Sequence, residues 1–145
     1  MCYNYIKKVL GESMDINNLN IIDLISENHI KLRRIVEDRW IESNEEEISH
    51  TEGFLLAKIS MGKISIAEVA RQANISRQAM FKCAKKLELR GYLKFTNKYA
   101  ELTDKGLDYC KKSIKLKEDI EKEIINNIGQ KNLELLKEIL NRNLI

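Results

Sequence analysis

Apolar residues recur at helical spacing from residue 19 to 41, with Ile22, Ile25, His29, Leu32, Val36 and Trp40 on or near one face. This predicts a long helix, with its cap region at Asn17 and Asn18. The acidic run from Glu42 to Glu47 reads as a linker. Ser49 with Glu52, and Ser65 with Glu68, have capping-box spacing, so helices are expected to start at about 50 and 66, separated by Gly62. Residues 65 to 90 then read as two short helices joined by a tight turn. Val69 and Ala70 are small and apolar where the first helix must touch the second, and Asn74 tolerates the positive φ that a sharp turn requires. Ile75, Met80 and Cys83, continued by Ala84 and Leu87, form the expected buried stripe of a helix running from about 76 to 90, which Gly91 ends.

After Gly91 the segments YLKF and YAELT are β-prone and flank a polar turn at Thr96 to Lys98, which predicts a short hairpin. A hairpin directly after such a helix is a wing. Thr103 or Asp104 is placed to cap a last long helix through about residue 128. Gly129 breaks it, and a terminal helix follows with Leu133, Leu136, Leu140 and Leu144. The predicted fold class is therefore mainly α: a winged helix-turn-helix with a short β-hairpin wing and long N- and C-terminal helices. At 145 residues, with 32% charged residues, no proline and 6% aromatics, residues 1–145 read as one helix-rich domain.

Charge sharpens the picture. The net charge is only +3, yet between residues 60 and 100 nine cationic residues face two acidic ones, Glu68 and Glu88. The helix-turn-helix and wing thus hold a surplus that the rest of the chain offsets, which is the footprint of a nucleic-acid binder. On the helix from Ser76, the residues opposite the buried stripe are Arg77, Gln78, Phe81, Lys82 and Lys85. Arg77 and Lys82 suit guanine O6 and N7, and Gln78 suits adenine. Phe81 suits either a thymine methyl or intramolecular packing. Ser76, Arg71 and Lys86 are expected to hold phosphate, which positions the helix without reading sequence.

Other chemistry is not expected. The sequence has no Gly-rich phosphate loop, nucleophile elbow or distinctive carboxylate pair, so no enzyme and no cofactor are predicted. His29 and His50 have no compact ligand spacing with the cysteines or the acidic linker, so no metal site is predicted. Cys2, Cys83 and Cys110 are odd in number and scattered, which fits reduced thiols. No apolar run approaches the roughly 18 residues of a membrane span, and the N-terminus MCYNYIKKVLGES has no small-residue cleavage site. A cytoplasmic location without membrane partners is expected.

The segment SIAEVARQANISRQAMFKCAKKLELRGYLKF, then ELTDKG after the wing, then IGQKNLELLKEILNRNL, in this order, resembles the MarR family of bacterial transcription regulators from about residue 19 onward. The resemblance implies a homodimer built from residues 19–47 and 103–145, with 48–102 as the DNA-binding region. It implies recognition helices set in the major groove of a pseudopalindromic double-stranded operator, with half-sites about 34–36 Å apart. A repressor relieved by a small-molecule effector or a stress signal is implied, with the effector pocket near His29, Arg33, Trp40 and Phe54. Some members of the family sense zinc, and others use an N-terminal cysteine with tyrosine partners, as Cys2 has in Tyr3 and Tyr5. The wing departs from the family pattern of a longer, arginine-bearing hairpin. It offers only Lys94, Asn97 and Lys98, which implies contact with phosphate at most. The alternative is a winged-helix interaction module with little DNA reading.

Overall fold

The computed structural model describes residues 19–145. The expectations for Asn17, Asn18 and Cys2 lie outside those residues. The first described helix, α1 (Ile21–Glu42), is capped by Asn20, whose side-chain oxygen accepts from the Asp23 N–H at 3.0 Å while its amide donates to the Asp23 carboxylate at 2.7 Å. No residue of α1 is buried, and Ile22, Ile25 and Leu32 stay exposed. The chain divides into two compact units, one ending at Asp38 and one beginning at Arg39.

Within the second unit, α2 (His50–Ser60) opens with a complete capping box. The Ser49 hydroxyl accepts from the Glu52 N–H, and the Glu52 carboxylate accepts from the Ser49 N–H. Helix α3 (Ile66–Ala73) has half of that arrangement: the Ser65 hydroxyl oxygen accepts from the Glu68 N–H, while the Glu68 carboxylate turns to Arg71 and Gln72. Asn74 ends α3 at φ 55° and ψ 43°, the left-handed conformation its short polar side chain tolerates. The next helix, α4 (Arg77–Leu89), starts only three residues later with Ser76 as its N-cap. Its far end closes in two steps: the Gly91 N–H donates to the Glu88 carbonyl and the Tyr92 N–H reaches back to Leu87. This closure needs the positive φ of 85° at Gly91.

Strands β1 (Leu93–Thr96) and β2 (Tyr99–Leu102) pair antiparallel, Leu93 opposite Leu102 and Thr96 opposite Tyr99, around a two-residue turn in which Asn97 takes φ 58°. Helix α5 (Asp104–Ile128) is capped by Thr103, and α6 (Gln130–Leu140) follows after Gly129. Leu144 lies past the end of α6 and is exposed. The start of α5 sits hard against the end of α4. The Thr103 hydroxyl donates to the Gly91 carbonyl at 2.5 Å, and a Cβ on Gly106 would come within 2.2 Å of the Tyr92 carbonyl oxygen, so only glycine fits there.

One core joins α2, α3, α4, the hairpin and the start of α5. Leu55, Leu56 and Ile59 of α2 meet Val69 and Ala70 of α3, Met80, Ala84 and Leu87 of α4, Leu93 and Ala100 of the hairpin, and Cys110 of α5. Two stripe residues depart from expectation. Ile75 is 36% exposed and lies in the turn between the left-handed Asn74 and the Ser76 cap, ahead of the first residue of α4. Cys83 is half-buried, at the edge of the stripe. Among the described residues, no helix is long and apolar enough to cross a membrane.

Candidate nucleic-acid interface

Successive residues of an α-helix advance by about 100°, which sorts the surface of α4 into three strips around its buried line of Met80, Ala84 and Leu87. Cys83 and Lys86, continued by Arg90, flank the buried line on the side of α2, where Lys86 and Arg90 pair with Glu52 at 3.5 and 3.1 Å. Phe81 and Lys85 flank it on the side of the wing. The Phe81 ring lies 6.0 Å from that of Phe95 on β1, and the Lys85 ammonium sits 4.3 Å from the Phe95 ring and 5.6 Å from that of Phe81. Gln78 and Lys82 occupy the strip between, while Arg77 is exposed at the first turn of the helix, on the Phe81 side of that strip.

All eleven residues predicted to meet DNA are exposed, but they are not equally available. Among the described residues Arg77, Lys82 and Lys98 form no ion pair, so their charges are open to an incoming ligand. Arg71 is held by Glu68 through two hydrogen bonds of 2.5 and 2.9 Å, which lower the Glu68 carboxyl to about 2 and raise the guanidinium. Lys85 pairs with Glu88 at 3.0 Å, and Lys94 with Glu101 across the wing at 3.8 Å. The Ser76 hydroxyl oxygen accepts from the Ala79 N–H at 3.1 Å, which leaves its proton to donate outward. Asn97 and Lys98 form the wing tip.

The acidic run before α2 is more than a linker. Glu46 accepts from the Tyr92 hydroxyl at 2.5 Å, from the Arg90 guanidinium at 3.2 Å and pairs with Lys105 at 2.9 Å. Arg90 further donates to the Glu47 carbonyl at 2.6 Å, and Lys105 donates to the Arg90 carbonyl at 2.9 Å. Glu45 pairs with Lys112 at 2.8 Å. The end of α4, the start of α5 and residues 45–52 are therefore tied through one hub. Sequence spacing had no means to show it, since Arg90 meets carboxylates 38 and 44 positions away. The Tyr92 hydroxyl, then the Lys105 ammonium, hold the Glu46 carboxyl down from 4.5 to about 2. A carboxyl depressed on folding stabilises above its unfolded pKa, and that contribution is lost as pH falls from about 4.5 towards 2. Carboxyl-carbon NMR is expected to show Glu46 titrating below the ordinary glutamates, and Tyr92→Phe to move it upward; no shift in Tyr92→Phe would remove the hydroxyl as the main cause.

Of the four residues expected near an effector pocket, Trp40 and Phe54 belong to the second unit, and Arg33 and His29 to the first. Trp40 donates its indole N–H to the Glu46 carbonyl at 2.9 Å and meets the Tyr109 ring edge-on at 5.1 Å. Phe54 is partly buried against the core under Lys58. Arg33 pairs with Glu37 at 3.0 Å along α1, and His29 is exposed on the same helix. Burial, then the charge of Glu52, pushes the Cys83 thiol up to about 11, and burial also raises that of buried Cys110. Neither is a thiolate at neutral pH. Among the described residues, no group of three or more His, Cys, Asp or Glu is placed to hold a metal ion.

No family model and no curated protein matches the chain. Its fold is nevertheless shared with solved MarR-family structures. The reduced form of MarR from E. coli superposes with a TM-score of 0.74 at 20% identity over 91% of this chain and 100% of that one. The Mycobacterium tuberculosis MarR family protein Rv2887 in complex with DNA gives 0.71 at 22% identity over 86% and 100%. The same protein in complex with salicylic acid gives 0.66 at 22% identity over 83% and 95%.

Proposed function

We propose that this chain is a MarR-type transcription regulator: a homodimer that reads double-stranded DNA through α4 and acts as a repressor relieved by a small ligand or a stress signal. The observation that carries the reading is the exposed polar face of α4. The left-handed turn at Asn74 and the burial of Met80, Ala84 and Leu87 leave Arg77, Gln78 and Lys82 exposed together, two of them as unpaired cations. A planar guanidinium at the first turn of a helix matches the bidentate edge of guanine, and an amide beside it matches adenine. Rv2887, of the same fold, has been solved with DNA and with salicylic acid, which supports both the nucleic-acid partner and a small-molecule effector.

The dimer is supported by apolar surface that the monomer leaves uncovered. Leu107 and Ile114 of α5, and Leu135, Leu136, Ile139 and Leu140 of α6, are 41 to 55% exposed. Surface of that extent on consecutive helices marks an association face. The test is Arg77→Ala in a protein shown by sedimentation to be dimeric at micromolar concentration. It is expected to relax preference at one base position per half-site and to cost about 1–3 kcal/mol of specific affinity. A monomer would overturn the dimer, and unchanged base preference would remove Arg77 from the reading set.

A further inference from the structure

The wing-side strip of α4 carries a large apolar side chain, Phe81, that meets the hairpin. Phe81 remains 49% exposed even though its ring lies against that of Phe95, and Phe95 in turn stands on the inward face of β1 opposite buried Ala100, at the rim of the core. The Phe81 Cα is one helical turn beyond that of Arg77 and one residue before that of Lys82, so an element that brings those two cations to base edges brings the ring there as well. Lys85, the next residue along the strip, has its ammonium over both rings and paired with Glu88. It therefore lies against the rings with part of its donor capacity committed to Glu88.

An aromatic ring of this kind has one good partner in the major groove. All four bases present hydrogen-bonding atoms there, but thymine alone adds an apolar 5-methyl group, which a ring can cover without leaving a donor or acceptor unmatched. Resting on the DNA-binding reading above, we propose that Phe81, supported by Phe95 and flanked by Lys85, is a specificity-determining residue that selects thymine at one position of each half-site by contact with its 5-methyl group. Phe95 acts as a positioning residue, because its ring limits where the Phe81 ring can turn. The preference is then set at the junction of recognition helix and wing and needs no wing residue in the minor groove.

The probe is the duplex itself. Once a binding sequence has been selected from random DNA, each thymine is replaced in turn by uracil, which removes one methyl group and keeps every hydrogen bond. One position per half-site is expected to lose about three- to tenfold in affinity, and Phe81→Ala is expected to bind the thymine and uracil duplexes equally. Phe95→Leu, which keeps an apolar neighbour but loses the ring contact, is expected to reduce the thymine-to-uracil ratio without abolishing binding. Equal affinity of the wild-type protein for every uracil-substituted duplex overturns the inference and leaves DNA reading by Arg77 and Lys82 standing. Failure to select any sequence at all overturns both.

Discussion

Arg90→Ala is expected to lower folding stability by about 2–4 kcal/mol, a large loss for a side chain that is itself partly exposed. The cost falls on its partner. The Glu52 side chain is only 5% exposed, and its carboxylate is held by the Arg90 guanidinium at 3.1 Å, the Ser49 N–H at 2.9 Å and the Lys86 ammonium at 3.5 Å. Burial pushes that carboxyl up, but the Ser49 N–H and the two cations outweigh it and hold it below the usual glutamate range. Without Arg90, a buried charge keeps one hydrogen bond and one distant cation, and the Glu47 carbonyl loses its donor. Urea denaturation should show a lower midpoint at unchanged slope. In a Glu52→Gln background the same substitution should cost distinctly less, because no buried charge is then stranded. Equal cost in both backgrounds would place the effect elsewhere in the hub.

Specific binding is expected to weaken by about 10³- to 10⁵-fold between 50 and 200 mM salt, the range for a protein that neutralises about 6–10 phosphates. The structure suggests where those charges come from. Apart from Arg77 and Lys82, which the proposed reading places at base edges, each chain offers the unpaired Lys98, and Lys86 and Lys94 held only loosely at 3.5 and 3.8 Å. Arg71 and Lys85 are already engaged and should contribute less than sequence alone implies. Lys98→Ala, at the wing tip, should therefore reduce the salt slope by about two for the dimer while leaving base preference unchanged. Arg71→Ala should change the slope less. An affinity nearly independent of salt would point instead to a winged helix that docks on a protein.

Much of this fold is legible in the sequence because its boundaries are made by local chemistry. Ser49, Ser65, Ser76 and Thr103 each accept from a backbone N–H three residues on, and Asn74, Gly91 and Gly129 take the positive φ values that stop a helix. Each is readable from residue type and spacing. Exposure of the cationic face of α4 was legible for the same reason, since helical period alone separates it from Met80, Ala84 and Leu87. What period cannot show is pairing at long range. Counting charges between residues 60 and 100 credits Arg90 to a DNA face, yet its guanidinium turns to Glu52 and Glu46, carboxylates outside that window. The run from Glu42 to Glu47 likewise reads as a solvated linker until Tyr92, Arg90 and Lys105 are seen to converge on Glu46. The position of Ile75 was missed for a smaller reason. It stands in the turn between two helices, where neither period applies.

The most direct test of sequence-specific reading is selection of the purified, folded protein against a random duplex library at about 150 mM salt, near physiological ionic strength. The expected result is enrichment of an inverted repeat whose half-site centres lie one helical turn, about 10 base pairs, apart. Recovery of no preferred sequence by a folded protein would contradict it.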